Sequence, residues 1–110
     1  MTGNQLEAHL VQVAQGDMSA LDAIYREFYH SVYLLAVSMV KEPALAEDVT
    51  QEVFLTVRAC AGRYKPGTNP RAWLFGITKN IARYFLRMSR RADQPGEEAM
   101  DRLPAAGELE

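Results

Sequence analysis

Apolar residues recur every three or four positions along four stretches of this chain, and glycine or proline separates the stretches. This spacing places side chains on one face of an α-helix, because a helix turns once in about 3.6 residues. Nowhere does the alternation that predicts a β-strand appear. We therefore predict an all-α fold, a compact bundle of about four helices. The four predicted stripes are Leu6, Leu10 and Val13; Leu21, Ile24, Tyr25, Phe28, Val32, Leu35, Ala36 and Met39; Ala46, Val49, Val53 and Val57; and Trp73, Ile77, Ile81, Tyr84, Phe85 and Met88.

Residues that end or cap helices lie between these stripes. Gly16 closes the first helix, and either Asp17 or Ser19 can cap the second. Pro43 suits the first position of the third helix, where its missing N–H costs nothing. The segment 64–70 is dense in turn-forming residues and predicts a loop of fixed shape, with Asn69 capping a fourth helix that begins at Pro70.

The length of 110 residues allows one small domain. We assign residues 1–91 to it, and we expect residues 92–110, rich in Pro, Gly, Ala and acids, to form an acidic linker or a disordered tail. Cys60 is the one cysteine, which fits a reducing compartment. Neither a signal peptide nor a membrane-spanning run is evident, so we expect a cytoplasmic protein without membrane insertion.

The net charge of −2 conceals a strong segregation of charge along the chain. Residues 1–52, 53–92 and 93–110 sum to −6, +9 and −5, and the middle segment contains no acid. Because salt screens charges beyond about 8 Å, a ligand at the middle segment responds to the local excess of positive charge. The pattern therefore favours an anionic partner.

Catalysis is not predicted. His9 and His30 fall on different predicted helices, and Cys60 at the end of a helix is typical of a small core residue. The acids at 47–52 lie on a short exposed helix without a pocket-forming loop. We therefore expect a protein that is not an enzyme and that uses no cofactor or metal.

The third predicted helix carries a polar face opposite its apolar stripe, formed by Asp48, Gln51, Glu52 and Leu55. A solvated helix face is the ordinary explanation of such residues. However, an apolar side chain ringed by polar ones is also typical of a protein-binding surface, and the carboxylates would suit a basic partner helix. The pattern leaves both interpretations open.

The fourth predicted helix carries Lys79, Arg83, Arg87 and Arg90 together on one face. They can form a solvated outer face or can neutralise nucleic-acid phosphates. Asn80 borders them and can hydrogen-bond a base edge. Tyr64 and Trp73 lie near the preceding loop, where rings can stack on unpaired bases, although the spacing of Trp73 assigns it mainly to packing.

Three motifs resemble region 2 of the sigma-70 family, and within it the extracytoplasmic-function (ECF) subgroup. They are Gly16-Asp17, the run Ala46-Glu47-Asp48-Val49-Thr50-Gln51-Glu52-Val53-Phe54-Leu55, and the run Trp73-Leu74-Phe75-Gly76-Ile77-Thr78-Lys79-Asn80-Ile81-Ala82-Arg83. Their order and spacing agree over roughly residues 5–91.

The resemblance implies a transcription initiation factor domain that binds core RNA polymerase and that recognises and melts the promoter minus-ten element. The Asp48, Gln51 and Glu52 positions, with Leu55 beside them, would dock on the clamp helices of the beta-prime subunit. The loop 64–69 would capture a flipped base of the single-stranded element, and the helix after it would contact DNA. An anti-sigma factor is a further expected partner. The expected DNA-binding residues are Arg63, Tyr64, Lys65, Asn69, Arg71, Trp73, Lys79, Asn80, Arg83, Arg87 and Arg90.

Some features depart from the family. Arg58 stands where tryptophan is frequent, Tyr64 where phenylalanine is common, and Thr78-Lys79 where Ala-Arg is frequent. We also expect the second sigma domain, which reads the minus-thirty-five element, to be absent. An alternative hypothesis is a sigma-like interaction module that binds an anti-sigma factor without promoter binding. The basic, acid-free face of the fourth helix favours the DNA-binding hypothesis.

Overall fold

The computed structural model describes the backbone of residues 1–92 and the side chains of residues 1–90, and over this range it contains four α-helices and no strand. The helices are α1 (Gly3–Ala14), α2 (Met18–Val40), α3 (Pro43–Cys60) and α4 (Pro70–Ala92), and a short 3-10 helix (Ala61–Arg63) follows α3. The predicted all-α bundle is therefore confirmed. Of the predicted linker or tail, residues 92–110, Ala92 belongs instead to α4 and the remainder lies outside the described residues.

Side-chain caps begin the first two helices. Thr2 and Gln5 form a reciprocal capping box at α1. Of the two candidate caps for α2, Asp17 is the one used: its Oδ1 accepts the backbone N–H of Ser19 at 3.0 Å and of Ala20 at 3.3 Å. The Ser19 hydroxyl donates to the same oxygen at 2.6 Å, so Ser19 supports this cap and is not the cap itself.

Proline begins the last two helices, as their sequence predicts. Lys41 ends α2 in the left-handed conformation (φ 64°), and Pro43 is the first residue of α3. Asn69 caps α4 by accepting the backbone N–H of Ala72 on its Oδ1 at 3.0 Å, directly before Pro70.

The core lies between α2 and the other three helices, and α2 contacts all three of them. The predicted stripes of α1, α2 and α3 supply most of it. Fully buried side chains include Leu6, Leu10, Ile24, Val32, Val49, Val53, Val57, Leu74 and Ile81. None of the helices within the described range is both long and apolar enough to cross a bilayer.

The buried face of α4 differs from the predicted stripe. Leu74 and Thr78 are buried, whereas Trp73 and Met88 are only partly covered. Thr78 tolerates burial because its hydroxyl donates to the Leu74 carbonyl, one turn earlier, at 3.1 Å. The predicted stripe followed the large apolar side chains and so included Trp73. It did not include Thr78, because a threonine was not expected in the core. The buried face of α4 is therefore rotated relative to the predicted stripe, and Trp73 lies towards the surface that contains the candidate site.

Candidate functional site

A groove of about 560 Å³ opens between the end of α3, the loop 64–69 and the first half of α4. Two small residues one turn apart on α4, Ala72 and Gly76, lie among its lining residues. A Cβ added at Gly76 would meet no atom within 4 Å. The lining residues are Cys60, Arg63, Lys65, Thr68, Ala72, Trp73, Gly76, Ile77, Lys79, Asn80 and Arg83.

The groove carries positive charge and no acid among its lining residues. Arg63 and Lys65 approach from the loop side, and Lys79 and Arg83 approach from α4. Arg83 donates to the Oδ1 of Asn80 at 3.2 Å, so these two polar side chains contact each other at the groove. An anion, or a polar base edge next to its phosphates, matches these donors.

Basic side chains continue along α4 beyond the groove. Lys79, Arg83 and Arg87 follow at four-residue intervals and are exposed, as is Arg90. The guanidinium of Arg87 lies 5.7 Å from the centre of the Tyr84 ring, a cation–π distance. The predicted basic face therefore forms one continuous surface with the groove along the described part of α4.

The two aromatic residues that the sequence placed near DNA have different positions. Trp73 is partly exposed and lines the groove, whereas Tyr64 is only 6% exposed and lies in the core. Their rings meet edge to face, with centroids 5.6 Å apart. Burial raises the pKa of the Tyr64 hydroxyl, which keeps it a neutral donor. Tyr64 is therefore a support for Trp73 in this conformation, and Trp73 is the ring that a base can reach.

Two further residues of the expected DNA-binding set make structural contacts. Asn69 uses its side-chain oxygen to cap α4. Arg71 lies over the Phe28 ring at 5.6 Å and donates to the backbone carbonyl of Met1, so it joins the start of α4 to α2 and to the N-terminal residue that precedes α1. Neither residue lines the groove.

The groove also contains residues that the sequence did not indicate. Cys60 lies at its α3 end. Burial raises the pKa of its thiol, and the charge of nearby Arg63 offsets only part of this rise. Gly76 and Ala72 were unassigned, although two small residues one turn apart on an otherwise bulky helix were an available signal. Glu7 of α1 was also unassigned, and it contacts the loop from outside the groove.

The polar face of α3 is a second surface. Asp48, Gln51 and Leu55 are exposed, the last with 56% of its surface accessible, and Glu52 is half-buried. Desolvation raises the pKa of Glu52. Gln51 donates weakly to the Tyr25 hydroxyl at 3.5 Å, which links this face to α2. The four predicted residues are therefore close neighbours on one helix, with a large apolar side chain among polar ones.

Aromatic rings on α2 support that surface. Tyr25 packs edge to face on Phe54 with centroids 5.0 Å apart, and Tyr29 lies 5.2 Å from Tyr25. The contact between Tyr25 and Phe54 therefore joins α2 to α3 beside this surface.

A basic groove with an accessible aromatic ring is a feature of proteins that bind single-stranded nucleic acid. Comparison with known families identifies the class: the family described as Sigma-70 region 2 matches residues 24–92. The chain belongs to the sigma-70 family of RNA polymerase sigma factors, and its relatives assign it to the ECF subgroup.

Three curated relatives illustrate this relationship. RNA polymerase sigma factor CarQ of Myxococcus xanthus is 38% identical, over 71% of this chain and 45% of its own length. ECF RNA polymerase sigma factor SigK of Mycobacterium sp. (strain KMS) is 32% identical, over 81% and 47%. ECF RNA polymerase sigma factor SigE of Mycolicibacterium smegmatis is 38% identical, over 84% and 37%. The chain thus spans less than half the length of these relatives. No solved structure matches it.

Proposed function

We propose that this chain is a transcription initiation module that joins core RNA polymerase through α3 and holds the displaced strand of the promoter minus-ten element through the groove and α4. The observation that carries the proposal is the acid-free groove that contains Trp73, Lys79 and Arg83 in a chain of the sigma-70 family. It requires no catalytic step by the chain itself.

The groove supports capture of an unpaired base. Its volume of about 560 Å³ is ample for one nucleotide base, and ligand pockets typically measure about 300–1,000 Å³. Trp73 offers a stacking face, and the amide and guanidinium groups around it can hydrogen-bond a base edge or a phosphate. Extruding a base costs a few kcal/mol, which these contacts would offset. The groove would then stabilise promoter DNA in its opened form.

The polar face of α3 supports docking on the polymerase. Asp48, Gln51 and Glu52 present carboxylate and amide groups to a basic partner helix, with Leu55 as an apolar anchor beside them. We propose the beta-prime clamp helices of core polymerase as this partner. The binding of a second protein, an anti-sigma factor, is proposed on the same family grounds.

The first experiment is a pull-down of core RNA polymerase by this chain, beside an Asp48→Ala/Gln51→Ala/Glu52→Ala variant whose helicity is checked by circular dichroism. Capture by the native chain and loss in the variant support docking through α3. Failure of both folded proteins to capture polymerase contradicts the proposal and favours the alternative, a sigma-like module that binds an anti-sigma factor.

A further inference from the structure

A carboxylate of α1 reaches across the fold to the loop that forms one wall of the groove. The Oε1 atom of Glu7 accepts the Tyr64 hydroxyl at 2.8 Å and the backbone N–H of Gly67 at 3.1 Å. These partners lie 57 and 60 positions along the chain. Glu7 is half-buried, so water competes for its oxygens less than at an exposed site. Hydrogen bonds to an ionised carboxylate are about twice as strong as neutral ones.

The two donors hold different parts of the loop, since Tyr64 lies just before its turn and Gly67 lies within the turn. Gly67 has φ +90°, a left-handed conformation that favours glycine, and its N–H points back towards α1. Within the loop, Thr68 closes the turn by donating from its hydroxyl to the Lys65 carbonyl at 2.6 Å. Glu7 therefore attaches an internally bonded turn to the body of the bundle.

Tyr64 connects the Glu7 carboxylate to the groove. Its hydroxyl lies 2.9 Å from the Thr68 carbonyl as well as 2.8 Å from Glu7, so a single proton is shared between two acceptors. Its ring supports Trp73 from behind, edge to face. Lys65 and Thr68, on either side of Gly67, line the groove. A shift of the turn would therefore move the stacking ring and the loop-side wall together.

We infer that Glu7 is a positioning residue for the groove: it holds the 64–69 loop in the conformation that accepts an unpaired base, and so sets the affinity for single-stranded DNA. This inference rests on the proposed function, and it adds a control of the groove by α1. Without the carboxylate, the loop would sample other conformations, and the apparent affinity would fall with the populated fraction of the competent one.

The test compares Glu7→Ala, Glu7→Gln and Tyr64→Phe with the native chain. The probe is a fluorescently labelled single-stranded oligonucleotide of minus-ten-like, A/T-rich sequence, titrated to obtain Kd. Loss of about tenfold in affinity is expected for Glu7→Ala, because both hydrogen bonds to the Glu7 carboxylate are removed. Glu7→Gln should restore most of it, since its amide oxygen accepts the same two donors.

Two further readouts separate positioning from a general loss of structure. Amide hydrogen exchange at Gly67 should accelerate in Glu7→Ala, while core-polymerase capture through α3 stays at the native level. Tyr64→Phe keeps the buried ring and tests the same attachment from the other side, so it carries the test if Glu7→Ala folds poorly. Asp22→Ala, which removes an exposed carboxylate paired with Arg26 on α2, is the matched control and should change neither affinity nor exchange.

The outcomes distinguish this inference from the proposed function. Native affinity together with native Gly67 exchange in Glu7→Ala would overturn the inference and leave the proposed function intact. A native chain that fails to bind the oligonucleotide would refute the DNA-binding part of the proposed function. Amide hydrogen exchange at Gly67 would then still test whether Glu7 holds the loop. Faster exchange in Glu7→Ala supports that part of the inference, and unchanged exchange overturns it.

Discussion

The rings of Tyr64 and Trp73 meet edge to face with their centroids 5.6 Å apart, and Trp73 lines the groove while Tyr64 lies buried behind it. The pair divides two tasks between two aromatic residues. The buried ring and its bonded hydroxyl provide a fixed support, and the partly exposed indole provides a contact surface. Trp73 is also the only tryptophan of the chain, so its fluorescence reports on the groove.

Trp73→Ala is expected to weaken binding of the single-stranded oligonucleotide by about 1–3 kcal/mol, the usual contribution of one base stacked on an aromatic side chain. In the native chain, titration with the same oligonucleotide should quench the emission of Trp73. Trp73→Phe retains an aromatic face and should bind with intermediate affinity. Unchanged emission at saturating oligonucleotide would show that no base stacks on this ring.

The basic face of α4 predicts a strong dependence of DNA affinity on salt. If about four phosphates are neutralised, log K should fall against log salt with a slope of about −3 for a single strand. Arg83→Gln removes one of these charges and should reduce the slope by about 0.7. Arg26→Gln is a suitable control, because Arg26 is exposed on α2 and pairs with Asp22. A flat salt response in the native chain would contradict phosphate binding by α4.

The helices could be predicted from the sequence because their signals are local. Spacing of apolar residues identifies one face of each helix, and Pro43, Asn69 and Pro70 specify starts that the structure confirms. Most of the polar and basic surface residues were also predicted, since the residues opposite a buried stripe must face outward. These properties depend on neighbours within one or two turns.

The groove could not be predicted in the same way, because it depends on contacts between distant segments. Tyr64 is buried by its packing on Trp73 and its bond to Glu7, and Arg71 is drawn towards Met1 and Phe28. Loop polarity and aromatic character are the same whether such residues contact DNA or the protein's own core. Long-range partners decide between these roles, and a single sequence does not reveal them.

Leu55 and Leu34 allow a matched test of the α3 surface, since both are exposed leucines, at 56% and 50%. Leu55→Ala should weaken capture of core polymerase by about 1–2 kcal/mol if it is an anchor surrounded by polar contacts. Leu34→Ala, on α2, should leave capture unchanged. Both variants should unfold at the native denaturant midpoint, because neither side chain is part of the core. Equal effects of the two substitutions would contradict a specific role for Leu55.

Asp17 gives the stability of the bundle a predictable dependence on pH. Its hydrogen bond from the Ser19 hydroxyl, followed by that from the Ala20 N–H, lowers the pKa of Asp17 below its usual value of 3.8. A carboxylate with a lowered folded-state pKa contributes stability above the unfolded pKa, and this contribution is lost as pH falls through the folded value. Urea denaturation should therefore show the native chain more stable than Asp17→Asn at about pH 6, with the difference shrinking towards about pH 2. A difference that is the same at both ends of this range would exclude the ionised cap as its cause.

Substitutions at Gly76 test the stability of the helix and the space available in the groove separately. Gly76→Ala should stabilise the domain by about 0.5–1 kcal/mol, because alanine restricts the unfolded chain and favours the helix, and the added Cβ meets no atom within 4 Å. A methyl group fills little of a groove of about 560 Å³, so DNA affinity should change little. Gly76→Leu places a larger side chain in the same opening and should weaken oligonucleotide binding while the thermal midpoint stays at or above the native value. If Gly76→Leu binds the oligonucleotide as tightly as Gly76→Ala does, the base does not occupy this part of the groove, and binding must depend on the outer basic face of α4.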